Sequence, residues 1–145
     1  MISQNKLKHT ISVARKCKQI AKNKHLSEEL QDACFVMGFL HDIGYEKCDE
    51  KNISHHPIDS YNMILNFLQH KDEILSAIYS HGTKYDNLTI FDEILNTADL
   101  TTSYDGTDVS IEHRLNAIKT RHGETSTHYQ HAMQQSNALL HKRKE

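Results

Sequence analysis

Apolar positions recur along this chain with the period of a helix, and no alternating pattern long enough for a strand competes with them. The first segment covers about 3–24. On a wheel of about 100° per residue, Leu7, Ile11, Val13, Ala14, Cys17, Ile20 and Ala21 share one broad sector. Lys8, Arg15, Lys18 and Lys22 lie on the other side, and His9 falls at the edge of the apolar sector. Ser27 is a good cap for a second helix, and Glu28 and Glu29 suit its positive end. The apolar run Ala33–Leu40 is expected to bury that helix, which continues to about Asp42 and stops at Gly44.

Pro57 opens a third helix with Ile58, Tyr61, Leu65 and Leu68 as its inner stripe. A fourth spans about Asp72 to His81, with Ile74, Ile78 and His81 in line and Gly82 ending it. A fifth spans about Ile90 to Thr102 and carries Phe91, Leu95 and Asp99 at successive turns. A sixth starts after Ser110 and ends before Gly123, and a seventh starts near Ser126 and frays into a short tail at about 142–145. The expected fold is an all-α orthogonal bundle of six to seven helices.

Composition narrows this picture. A length of 145 residues favours one domain with one core. Only 5 glycines and 1 proline argue against a fold built on many tight turns. The formal charge of −2 gives no basic field for nucleic acid, and no apolar run approaches the roughly 20 residues that span a bilayer. MISQNKLKHT has no apolar stretch of the kind a secretory signal needs. Cys17, Cys34 and Cys48 form no CxxC pair and read as free thiols. A cytoplasmic protein is expected. Histidine is the outlier at 12, and these residues are scattered, unlike those of a tag.

The informative positions are polar residues on apolar faces. Asp42 stands at the C-terminal end of the second helix, where the macrodipole disfavours an anion. Asp99 continues the stripe begun by Phe91 and Leu95, and His9, His41 and His81 lie on the core edges of three other helices. Any one of these histidines alone reads as a core imidazole bonded to backbone. A buried carboxylate without a partner costs several kcal/mol or loses its charge. A divalent cation would satisfy all of them together, since imidazole and carboxylate suit Zn, Fe, Mn, Co or Ni.

The order of a histidine in LKHTISVARKC, the doublet in GFLHDIGYE and the aspartate in ILNTADLTT resembles the HD superfamily of metal-dependent phosphohydrolases. Between them, SHHPIDSYNMI and AIYSHG look like the extra histidine segments of two-metal subgroups. TTSYDGTDVSIEHRLNAIKTRHG is similar to the C-terminal part of small bacterial members. The resemblance implies His9, His41, Asp42 and Asp99 as core ligands, His56 and His81 as ligands of a second ion, and one or two divalent transition-metal ions as cofactor. His55 is the alternative to His56. Asp42 would bridge the ions, and a water activated there would attack a small phosphorylated substrate, a nucleotide among the candidates.

Several subgroups carry Glu or Lys three residues after the doublet's aspartate. Here that position is Tyr45, with Glu46 next, so Glu46, Tyr45 and a metal-bound water are all candidate proton donors. Lys84 is the nearest candidate cation for a phosphate, ahead of Arg114 and Arg121, which share a helix face but read as surface residues. His128 and His131 read as a solvated face, and Tyr45, Tyr85 and Tyr104 as packing residues or stacking partners for a base. Two other functions fit the same ligand positions. One is a non-catalytic module that binds a nucleotide or a partner, and the other is a di-iron oxygenase of the kind some HD-fold proteins are.

Overall fold

The computed structural model describes residues 3–44, 56–65 and 72–143. Its helices are α1 (Gln4–Asn23), α2 (Glu28–Leu40), α3 (His56–Leu65), α4 (Asp72–Ser80), α5 (Ile90–Leu100), α6 (Ile111–His122) and α7 (Thr127–Arg143). There is no strand among the described residues, and one isolated bridge joins Thr102 to Asp108. The all-α architecture expected from periodicity is what forms.

Side-chain caps fix where the helices begin. Ser3 accepts from the Lys6 amide at 3.1 Å, Ser27 from Leu30 at 3.2 Å and Ser110 from His113 at 3.0 Å. Thr89 and Asp92 form a reciprocal capping box at the start of α5. Each such cap is worth about 1 kcal/mol.

The larger core joins α1, α2, α4 and α5 and takes Ile64 from α3. Val13, Met37, Ile94 and Leu95 are fully buried in it, each worth roughly 1.5–3 kcal/mol relative to exposure. Gly38 lets α1 and α2 approach closely, because a Cβ there would lie 2.8 Å from the Ala14 Cα. A smaller core of Leu100, Ile118, Ala132 and Leu139 ties the end of α5 to α6 and α7. Cys17 and Cys34 are free and buried, and burial pushes the Cys34 thiol up to about 11. Both belong to the packing; such thiols are inert. Cys48 lies outside the described residues.

Several boundaries and faces differ from expectation. α2 ends at Leu40, so His41 and Asp42 stand in a turn and not on the helix. Its apolar run is buried on one side only: Cys34, Met37 and Gly38 face inward, while Val36 and Phe39 are exposed. The α3 stripe is rotated. Pro57, Ser60 and Ile64 are buried, Ile58 is exposed, and the side chains of Leu65 and Leu68 lie outside the described residues. Leu7, assigned to the apolar sector of α1, is exposed. α4 and α5 stop at Ser80 and Leu100, before His81 and Thr102, and α7 runs on to Arg143 into the stretch expected to fray.

Gly44 has a different role from the helix stop assigned to it. A Cβ there would lie 2.2 Å from the Ser60 amide nitrogen and 2.4 Å from the His56 carbonyl oxygen. Only glycine allows α3 to dock so closely behind the His-Asp doublet, and its amide donates to the Ser60 hydroxyl at 2.6 Å. This contact sets His56, the first residue of α3, beside Asp42.

Candidate metal centre

Five helices deliver six side chains to one place. His9 comes from within α1, His41 and Asp42 from the turn after α2, and His56 from the start of α3. His81 comes from the turn after α4 and Asp99 from the last turn of α5. Three imidazoles are aimed by backbone carbonyls. His9 Nδ1 donates to Ser103 O at 2.8 Å, His41 Nδ1 to Gly38 O at 2.6 Å and His81 Nδ1 to Ile78 O at 2.7 Å. A carbonyl only accepts, so each Nδ1 carries a hydrogen and each Nε2 is turned inward, where it can ligate an ion once it carries no proton.

The Asp42 carboxylate divides these rings into two sets. Its Oδ2 lies 3.2 Å from His41 Nε2 and 3.8 Å from His9 Nε2. Its Oδ1 lies 2.9 Å from His56 Nε2 and 3.5 Å from His81 Nε2. Asp99 Oδ1 joins the first set, 3.0 Å from His9 Nε2 and 3.4 Å from His41 Nε2. His56 and His81 approach each other at 3.3 Å between their Nε2 atoms. Lys6 donates to Asp42 Oδ2 at 2.5 Å.

Charge is concentrated here in a setting that resists it. Burial opposes charge on His41, yet the Asp42 and Asp99 carboxylates raise its pKa to about 10. Burial also opposes charge on Asp42, but His41, Lys6 and His56 hold its carboxyl well below the usual range. Burial likewise opposes charge on Asp99, and His41 and His9 hold its carboxyl well below that range as well. His81 is pushed down, first by burial and then by the charges of His56 and His41 against the pull of Asp42.

His41 Nε2 is buried without a hydrogen bond among the described residues, although carboxylate oxygens stand 3.2 and 3.4 Å away. A cation between nitrogen and oxygens satisfies such an arrangement directly. His9, His41 and Asp99, and likewise His41, Asp42 and His81, offer ligand atoms all within 4.8 Å of one another and could hold a metal ion. The donor set is imidazole nitrogen and carboxylate oxygen, which suits a divalent transition metal.

These groups open onto a cavity of about 470 Å³. His9, Asp42, His56, His81 and Asp99 line one part of it. Tyr104, Arg114, Arg121, His122, His128 and Gln135 line another. The volume is within the range of small-molecule sites.

All six residues named as ligands from the sequence meet in the fold. Lys84 does not join them. It pairs with Asp92 at 2.8 Å, at the start of α5, while Asp99 stands in that helix's last turn, and it does not line the cavity. Tyr45, Glu46 and His55 lie outside the described residues. Two groups escaped the sequence reading. Lys6 sits three residues before His9 on the same face of α1, which was the available signal. Arg114, read as a surface residue, is buried at 8 % exposure. The signal for it was its spacing of four from Ile118, a buried residue on the same face.

The HD domain family model matches residues 7–104, more than half of the chain. The chain belongs to the HD domain family, whose members are largely metal-dependent phosphohydrolases. The match spans α1 to α5 and therefore every residue of the His/Asp cluster, and it stops before α6 and α7. No curated protein and no solved structure matches the chain. No helix among the described residues is long and apolar enough to cross a membrane.

Proposed function

We propose that the chain is a metal-dependent phosphohydrolase that cleaves a phosphate ester of a nucleotide or another small molecule. His9, His41, Asp42 and Asp99 hold one divalent transition-metal ion, and Asp42, His56 and His81 hold a second. The supporting observation is the division at Asp42, whose two oxygens face different imidazole sets. Bound there, such ions supply Lewis acidity and a water deprotonated near neutral pH.

The protein's own residues do the rest. The carbonyls of Gly38, Ile78 and Ser103 hold three rings in one tautomer, so little reorganisation is needed at the centre. Lys6 balances Asp42 when no ion does so. It also lines the cavity, where its ammonium can turn to a phosphoryl oxygen once the carboxylate is otherwise satisfied. Glu46, Tyr45 and a metal-bound water are the donors the sequence offers for the leaving oxygen, and Glu46→Gln tests the first by its effect on the alkaline limb of the rate profile.

The deciding experiment is metal analysis of protein purified without chelators, followed by a phosphate-release screen across nucleotides and sugar phosphates. Bound metal and phosphate release with Mn or Co are expected. Oxygen consumption by an iron-loaded form without phosphate release would assign an oxygenase. Nucleotide binding without turnover would assign a binding module. Absence of any metal would overturn the reading.

A further inference from the structure

The cavity has a second chemically distinct wall, and none of its groups belongs to the metal centre. It is built by α6, α7 and the connection after α5; the family match ends at Tyr104 in that connection, and α6 and α7 lie beyond it. The Arg114 guanidinium carbon lies 4.3 Å from the centroid of the Tyr104 ring, and that of Arg121 lies 4.2 Å from the same centroid. Two guanidinium groups thus share one aromatic ring. The ring attracts each of them, but they repel each other.

Arg114 is only 8 % exposed, and its Nε and Nη1 are buried without a hydrogen-bond partner among the described residues. Gln135 is 4 % exposed, and its Nε2 is buried in the same condition, as is Nε2 of His128. An unpaired buried cation is among the costliest groups a fold can keep. The three unsatisfied nitrogens of Arg114 and Gln135, two side chains that line one cavity, are therefore donors with no acceptor.

Tyr104 also bonds to His122 through its hydroxyl at 3.3 Å, and the His122 and His128 rings stack at 4.1 Å and 11°. The field here is positive. Burial, then Arg121 and Arg114, push His122 below its ordinary value. Burial, then His122 and His56, bring His128 to about 4. Neither arginine forms an ion pair among the described residues, although Asp42 and Asp99 line the same cavity. Opposite charges facing one space without meeting define two subsites.

We propose that Arg114, Arg121 and Gln135 form an oxyanion subsite, so that the substrate carries a second anionic group besides the phosphate at the metal centre. Planar guanidinium groups match phosphate and carboxylate alike, and either would take up the unpaired donors. The inference rests on the hydrolase reading for the word substrate, but the anion subsite stands on its own geometry.

The test begins with chelated, metal-free protein titrated with inorganic phosphate by calorimetry. Saturable binding is expected, weakened about tenfold or more in Arg121→Gln and in Arg114→Gln. Arg121 is exposed, so its variant retains a readable fold even if the Arg114 variant melts early. No saturable binding, or binding that Arg121→Gln leaves unchanged, overturns the proposal. Steady-state kinetics of metal-loaded protein then compare glucose 6-phosphate, glucose 1,6-bisphosphate and 6-phosphogluconate. A KM lowered about tenfold by the second phosphate assigns a phosphate, and one lowered by the carboxylate assigns a carboxylate. An equal KM for all three overturns the second-anion claim. Phosphate binding that depends on Arg121 in a protein without turnover would sink the hydrolase reading and sustain the subsite.

Discussion

The two halves of the cavity wall differ in origin and in charge. The half from α1 to α5 lies within the family match and gathers carboxylates that raise His41 to about 10. The half from Tyr104, α6 and α7 gathers guanidinium groups, and there burial, with His122 and other cations, brings His128 to about 4. His41 holds a proton because Asp42 and Asp99 outweigh its burial, whereas His128 sheds its own first because it is buried and then because His122, His56 and other cations surround it. What the family supplies is a place for a cation. The proposed place for an anion lies mostly beyond the family match, and selectivity is expected to reside there.

The most severe way to break the comparison is Asp42→Ala, which removes the one group facing both imidazole sets. Activity is expected to fall by about 10³-fold or more, with metal content lost and helical circular dichroism kept. Phosphate binding at the arginine wall should survive that change. Retention of both metal and activity would show that Asp42 is not at the centre.

The opposite shifts of His41 and His128 also predict a stability maximum near pH 6.5 for the metal-free protein. His41 has a raised folded pKa, so its stabilisation is present below about 6.5 and is lost as pH climbs toward 10. His128 has a lowered folded pKa, so stability falls as pH drops from about 6.5 to 4. The lowered Asp42 and Asp99 add their own loss below about 4. Thermal melts across pH 3.5–10 in steps of about half a unit would trace both limbs. Metal should flatten the alkaline limb, because the ion replaces the His41 proton. Arg121→Gln should soften the acid limb, because Arg121 is among the charges that depress His122 and His128. A curve with no alkaline limb would contradict the charge assigned to His41.

Gly44→Ala sharpens the picture within the first half. The new Cβ meets α3 backbone at 2.2 Å, so α3 must retreat and take His56 with it. A cost of about 1–3 kcal/mol is expected from denaturant melts, with one equivalent of metal lost before the other. Equal loss of both would mean that His56 is not specific to one ion. The mildest change is Tyr104→Leu, which removes the ring beneath both guanidinium groups. It should raise KM about 2- to 30-fold and leave metal content unaltered.

The sequence revealed the first half far better than the second, for a physical reason. His9, His41, His81 and Asp99 betray themselves as polar residues on apolar helix faces, where burial needs an explanation. Arg114 and Arg121 lie on α6, a helix polar on most sides, so an inward arginine looks like any solvated one. Lys84 was misplaced because nearness in sequence to His81 says nothing about direction, and Asp92 captures it through the capping box of α5. The end of α2 came two residues early because His41 turns its ring back onto the Gly38 carbonyl. The apolar run Ala33–Leu40 also overstated burial, since only one side of α2 meets α1 and the core.

The carbonyl contacts that aim the rings differ in sequence reach, and this bears on the order of assembly. His41 and His81 each bond to a carbonyl three residues back, so each ring is oriented by its own helix end. His9 bonds to Ser103, 94 residues away. The first two can be set as soon as α2 and α4 form, whereas His9 must wait for a long loop to close. Pulse-labelled hydrogen exchange during refolding is expected to protect the ends of α2 and α4 before the His9 turn of α1. The centre would then be completed by its first ligand in the chain, and a nascent protein would hold its ion only after residue 103 has been made and folded back.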